Sequence, residues 1–203
     1  MNLIPDMAPA AKIGLRRLIE GNARFVSGEA APRPTSPTAL ADLAEGQHPF
    51  AAILGCSDSR VSPEVIFDQG LGDLFIVRVA GNVIATETLG SLGYALQHLR
   101  VPLFVVLGHE GCGAVQAALQ TKFKGIAERG TIGELLETIL PGLEEIDPSE
   151  PPDVQMRNAV EANVRWTLRQ LRSAPGAQPP LSEGRVHLAG AVYELATGHV
   201  RFL

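Results

Sequence analysis

Two cysteines, Cys56 and Cys112, are the only thiols in the chain, and His109 stands three positions before the second. Two thiolates and an imidazole make a Cys₂His donor set, which suits tetrahedral zinc with a fourth position left open. The spacing of His109 and Cys112 lets both reach one ion across a strand-to-helix turn. A lone H-x-x-C is a weak signal, however. On residue types alone, two small buried cysteines and a satisfied turn histidine are an equally good reading. A redox pair fits less well, because neither cysteine sits in a C-x-x-C arrangement.

Asp58 and Arg60 sharpen the choice. Residues two apart on an extended loop point the same way, so Arg60 can clamp Asp58 in a bidentate ion pair. Ordinary surface pairs of this kind are common and contribute little. Two residues from a metal thiolate, the same carboxylate has a different use: freed from Arg60, it can take the fourth ligand position and exclude water. Zinc with two thiolates and a neutral imidazole is formally neutral. Its water should therefore ionise less readily than at a three-histidine site, where the pKa is about 7. Activity is expected to rise with pH through neutral or mildly alkaline values.

These side chains need elements that bring them together. Phe50 to Leu54, Leu74 to Val79 and Leu103 to Gly108 are short apolar runs that read as parallel strands buried on both faces. The first runs into Cys56-Ser57-Asp58-Ser59-Arg60 and the third into Gly108-His109-Glu110-Gly111-Cys112-Gly113. Functional groups gather at the carboxyl ends of strands in open α/β sheets, so neighbouring strands would converge all three ligands at one edge. Cys112 falls at a predicted helix N-terminus, running to about Thr121, where the helix dipole favours a thiolate.

Between the second and third strands, Leu89, Leu92, Leu96 and Leu99 mark one face of a helix over Thr86 to Leu99. Ile13, Leu15, Leu18, Ile19, Phe25 and Val26 have helical spacing within residues 10 to 27, and Ser36-Pro37 starts a short helix over residues 37 to 45. The link around Arg33-Pro34 is expected to be irregular. Residues 131 to 147 are partly helical, broken at Pro141-Gly142. Asp153 is expected to cap a helix to about Arg172, with Val160, Val164, Leu168 and Leu171 inward. Ser173 to Pro180 reads as a proline-rich connection. Val186 to Glu194 and Val200 to Leu203, separated by Thr197-Gly198, read as a terminal hairpin. The expected fold is α/β: a mostly parallel central sheet flanked by helices, with an N-terminal helical arm and a C-terminal antiparallel edge strand.

At 203 residues the chain suits a single domain, an arm over residues 1–45 and an α/β core over 46–203. The net charge of −5 has no long run behind it, which argues against a nucleic-acid partner. The longest apolar run, Val101 to Gly108, contains Pro102 and is too short to cross a bilayer. No stretch near the N-terminus has the length of a signal-peptide core, so a cytoplasmic location is expected.

The motifs quoted above, together with Phe67-Asp68-Gln69-Gly70-Leu71-Gly72-Asp73-Leu74-Phe75, Arg78-Val79-Ala80-Gly81-Asn82 and the ending from Gly190-Ala191-Val192-Tyr193-Glu194 to Thr197-Gly198, resemble the β-carbonic anhydrase family. The likeness is dense over residues 45 to 125 and looser elsewhere, and the joint pattern outweighs the buried-cysteine reading. It implies zinc on Cys56, His109 and Cys112, and reversible hydration of carbon dioxide to bicarbonate and a proton by zinc-bound hydroxide. It also implies an Asp58–Arg60 pair that gates or orients, and a homodimer or higher even-numbered oligomer with active sites at the interface. Residues 10 to 45 would then pack on the partner subunit.

The plant-type subgroup further implies a substrate pocket of Gln47, Phe75, Ala80, Tyr94 and Gly113. Phe75, Ala80 and Gly113 suit an apolar niche for a small apolar substrate, and Gln47 can hydrogen-bond the oxygen that gains charge. Taken alone, Phe75 and Tyr94 fit a core or an interface as well, and Gln47 a surface loop. Two residues depart from family patterns. Ile53 stands where a bicarbonate-inhibited subgroup has tryptophan, which argues against that control, and Ala80 replaces valine, which widens the pocket slightly. Carbonyl sulfide or carbon disulfide hydrolysis on the same ligands, and a non-catalytic zinc-stabilised interaction protein, are the competing readings. His48 and His98 are proton-shuttle candidates by type only.

Overall fold

The computed structural model describes residues 7–31, 36–174 and 176–203; the link at Arg33-Pro34 lies outside them. Five strands, β1 (Ala51–Gly55), β2 (Leu74–Arg78), β3 (Leu103–His109), β4 (His187–Tyr193) and β5 (Val200–Phe202), form one sheet in the order β2-β1-β3-β4-β5. Every neighbouring pair is parallel except β4 and β5, the antiparallel hairpin at the C-terminal edge. Around the sheet lie α1 (Pro9–Ser27), α2 (Pro37–Ala44), α3 (Pro63–Ile66), α4 (Thr86–Gln97), α5 (Gly113–Lys124), α6 (Thr131–Ile139), α7 (Pro152–Ser173) and α8 (Gln178–Ser182). The expected mixed α/β architecture is the one observed.

Successive side chains of β1 and β3 point to opposite faces, and both faces are covered. Ala52, Leu54, Phe104 and Val106 enter one core with Leu92 of α4, Val115 of α5, Leu136 of α6 and Val160 of α7. Ala51, Ile53, Leu103, Val105 and Leu107 enter the other with Leu15 and Leu18 of α1 and Ile66 of α3. Each large aliphatic side chain so removed from water contributes about 1.5–3 kcal/mol. Apolar residues run unbroken through these two strands because neither face meets solvent.

The second strand departs from expectation. In β2 only Val77 is fully buried, because the strand forms the edge of the sheet and no described strand covers its outer side. In α1 the helical spacing holds, but Ile13 and Ile19 are 59% and 41% exposed while Leu15 and Leu18 face the core.

Ser36 caps α2 as expected, its side chain accepting the Ala39 N–H at 3.2 Å. Asp153 does not cap α7. The cap position is Pro151, and Asp153 lies in the first turn, where a carboxylate still complements the helix dipole. Cys112 is the N-cap of α5, and that helix runs past Thr121 to Lys124, ending at left-handed Gly125. The connection after Ser173 contains α8, and α3 follows the Asp58 loop; both are one- to two-turn helices, too short for a hydrophobic period to register. The predicted break at Pro141-Gly142 is a tight turn over Leu140–Leu143 that closes α6. No helix of the described residues is long and apolar enough to cross a membrane.

Candidate metal centre

The parallel register delivers the ligands to one edge. Gly55, the last residue of β1, pairs with Leu107 of β3, so Cys56 and His109 leave adjacent strands at the same end. The turn after His109 then returns the chain to Cys112 at the head of α5. Cys56, His109 and Cys112 are all buried, and their ligand atoms lie within 4.8 Å of one another. The two sulfurs are 3.9 Å apart.

His109 is oriented for ligation. Its Nδ1 lies 2.8 Å from the backbone oxygen of Glu110, and since a carbonyl only accepts, Nδ1 carries the proton there. That leaves a lone pair on Nε2, a buried atom with no hydrogen-bond partner. A fully buried ring nitrogen without a partner is costly unless something binds it. The sulfurs point the same way. A hydrogen bond from Cys112 brings the Cys56 thiol down to about 4 against the opposing effect of burial, with the Asp58 and Gly81 N–H groups helping. The same contact, burial and the negative charge on Cys56 push Cys112 far up. Two thiolates this close are stable together only around a cation, so the donor set fits a divalent metal.

Asp58 stands beside these ligands. Its Oδ1 accepts from the Arg60 backbone N–H at 3.0 Å and from Nε at 2.9 Å, and its Oδ2 accepts from Nη2 at 2.7 Å. These bonds hold the carboxyl well below the usual carboxylate range, against a smaller effect of burial. Oδ2 is 3.9 Å from His109 Nε2, so the clamped carboxylate already borders the space the metal ligands face. Ala80 is half-buried in the turn that follows β2, next to Gly81, whose N–H donates to Cys56 Sγ at 3.4 Å. Gly113 is exposed, and a Cβ there would meet nothing within 4 Å. Asp58, Arg60, Ala80 and Gly113 therefore belong to the same sheet edge as the three ligands.

Gln47, Phe75 and Tyr94 do not. Phe75 pairs with Ala52, four residues before Cys56, which sets it about 13 Å back along the strands. Tyr94, 48% exposed on α4, has its ring 6.3 Å from that of Phe75 and stacks on His98 at 5.0 Å. Gln47 is exposed ahead of β1, at the opposite end of that strand from Cys56. His48 is exposed beside it, and Tyr94 and His98 also line a cavity of about 540 Å³ between α4 and α8.

Three residues that hold the site carried no sequence-based role. Arg78, at the end of β2, donates from Nε to the Cys56 carbonyl at 2.9 Å and from Nη2 to the Asp58 carbonyl at 2.6 Å, pinning the loop between ligand and gate. Gly81 supplies the N–H on Cys56. Asn163 of α7 donates to the Gly81 carbonyl at 2.8 Å. The available signal for Asn163 was a polar side chain within the inward row of Val160, Val164 and Leu171.

A mostly parallel sheet with a Cys₂His cluster and a clamped Asp–Arg pair at its carboxyl edge makes a scaffold that can hold a metal ion beside a carboxylate. The family description for carbonic anhydrase matches residues 51–200, and the chain belongs to the β-carbonic anhydrase family of enzymes. It is 40% identical over 205 residues to a carbonic anhydrase of Mycolicibacterium smegmatis, covering 97% of this chain and 94% of that one. Carbonic anhydrase 2 of Mycobacterium tuberculosis is 39% identical, with 96% and 93% covered. Among solved structures, the β-carbonic anhydrase CafA of Aspergillus fumigatus is 28% identical with a TM-score of 0.74, covering 95% of this chain and 89% of that one. The Coccomyxa β-carbonic anhydrase bound to acetazolamide is 27% identical, also at 0.74, covering 93% and 86%.

Proposed function

We propose that this chain catalyses the reversible hydration of carbon dioxide to bicarbonate and a proton, with zinc held by Cys56, His109 and Cys112. The observation that carries the reading is the buried, unpartnered His109 Nε2 facing two sulfurs 3.9 Å apart, with the Asp58 carboxylate at its border. Zinc, when bound there, acts as a Lewis acid that makes a nucleophile of water near neutral pH. Cys56 and Cys112 supply two negative charges and His109 a neutral nitrogen, which fixes three of four tetrahedral positions.

Asp58 keeps its place through Arg60. With both oxygens engaged it stays off the fourth position, and its remaining lone pairs can accept a hydrogen bond from water and orient it. Released from Arg60, the same carboxylate can occupy that position and close the site. Ala80 and Gly113 leave room at the edge for a small apolar molecule. Gln47, Phe75 and Tyr94 lie too far from their own chain's ligands to line the same pocket, so a second copy brings them to it. The half-buried edge strand β2 and exposed Ile13 and Ile19 on α1 leave apolar surface for that copy to cover.

Stopped-flow hydration of carbon dioxide, measured with zinc content, tests this reading. Wild type should bind one zinc per chain and turn over; Cys56→Ser should lose both, while Asp58→Ala should keep zinc and lose rate. Zinc-loaded wild type with no hydration above background at pH 8.5 would point instead to a zinc-stabilised interaction protein. Preferential turnover of carbonyl sulfide would overturn the substrate assignment.

A further inference from the structure

Behind the ligand Cys56 lies a group of fully buried polar side chains that the ligand set does not explain. Asn82, Asn163 and Thr167 are each about 1% exposed, beside a core of apolar residues that includes side chains of β3, α5 and α7. Asn163 Nδ2 donates to the Gly81 carbonyl at 2.8 Å, and Thr167 Oγ1 donates to the Asn82 carbonyl at 3.3 Å. One helix face, two residues a turn apart, thus holds consecutive carbonyls of the loop after β2. Asn163 Oδ1 and Asn82 Nδ2 are buried without partners among the described residues. A buried amide with an unpaired oxygen is a poor choice for packing alone. Its orientation is nonetheless fixed, because turning it over would set Oδ1 against the Gly81 oxygen, acceptor facing acceptor.

The held loop is conformationally unusual. Gly81 has φ 69° and Asn82 φ 46°, two successive left-handed residues. In that conformation the Gly81 N–H turns inward and donates to Cys56 Sγ at 3.4 Å. Gly81 is therefore held at both ends, by the sulfur at its N–H and by Asn163 at its carbonyl. An N–H directed at a thiolate draws charge from the sulfur and so sets how strongly it donates to a metal.

We infer that Asn163 is a positioning residue for the metal thiolate, acting through Gly81: it fixes the peptide whose N–H tunes Cys56. Asn163 touches neither substrate nor metal. The inference rests on the metal reading above, and its test separates the two.

The experiment compares cobalt(II)-loaded wild type with Asn163→Leu, which keeps approximate volume, adds no charge and removes the donor. Two quantities are measured: metal affinity by chelator competition, and the thiolate-to-cobalt charge-transfer band. The expected result is metal binding weakened about 10–100-fold, because Cys56 loses the support that holds it in place, and a band shifted to longer wavelength, because a thiolate without its N–H gives up charge more easily. Leu171→Ala, on the same helix but away from the loop, should lower the melting temperature and leave both readouts unchanged. A folded Asn163→Leu with wild-type affinity and band would overturn the inference while leaving the metal reading intact. Wild type that takes up neither cobalt nor zinc would overturn both. If Asn163→Leu does not fold, wild type loaded with cadmium-113 decides the matter. Scalar coupling from the metal to the Gly81 amide proton through the sulfur supports the arrangement, and its absence refutes it.

Discussion

The proposal that a second copy completes the site can be tested by placing two different lesions on two chains. Cys56 follows the carboxyl end of β1 and Gln47 precedes its amino end, so the five-residue strand alone separates them by about 17 Å. No side chain spans that gap within one chain. Cys56→Ser should remove a metal ligand, and Gln47→Ala a hydrogen-bond donor to the developing oxyanion, a loss of about 10²–10³-fold in kcat. In the proposed two-fold dimer each site would draw its ligands from one chain and Gln47 from the other. A heterodimer of the two variants then carries both lesions in one site and neither in the second, and should recover about half of wild-type activity. The assay is carbon dioxide hydration by a heterodimer purified through two different tags, alongside each variant homodimer. If Gln47 served its own chain's ligands, both sites of the heterodimer would carry one lesion each and no activity would return. Activity at the level of the Gln47→Ala homodimer or below would therefore refute the reasoning.

Other predictions concern the gate, the packing and the pH response. Arg60→Gln removes the bidentate partner of Asp58 while zinc content stays at wild type; a displacement of the carboxylate by about 1 Å should lower kcat/KM by roughly 10²-fold, and an unchanged rate would show that the clamp has no part in turnover. Gly21→Ala places a methyl 1.8 Å from the Phe67 carbonyl oxygen, so α1 must move away from the turn that ends α3. The cost should be about 1–3 kcal/mol or more, read as a lower denaturant midpoint. His187 is held below its ordinary value of 6.5 by burial first and by Arg172 second. The unfolded chain therefore takes up the proton at a higher pH than the folded one, and stability should fall as pH drops below about 6.5. His187→Gln should flatten that part of the curve; a wild-type slope in the variant would assign it to other groups.

Much of the molecule was legible in the residues themselves. The aliphatic runs of β1 and β3, with no polar alternation, read as strands covered on both faces, and the leucine spacing of α4 and the Ser36-Pro37 start of α2 are local signals that survive packing. Where the reading failed, the deciding information was not local. A five-residue run such as β2 looks the same at an edge as in the middle, since the strand that would cover it is a matter of topology. Asp153 is a good capping type, but where the first turn begins depends on the prolines before it, and Pro151 won.

For the chemistry, the sequence by itself determined the donor types and placed each just after an apolar run. It also set Asp58 and Arg60 two apart, so their clamp was close to inevitable. Only the tertiary structure decided that β1 and β3 are neighbours in register, which converts three separate side chains into one cluster. It likewise decided that Gln47, Phe75 and Tyr94 lie away from that cluster, because positions close in sequence can sit at opposite ends of a strand. The roles of Arg78 and Asn163 were beyond local reading for the same reason. Each acts through a backbone group on another element, and nothing in a linear chain records which carbonyl a side chain will meet.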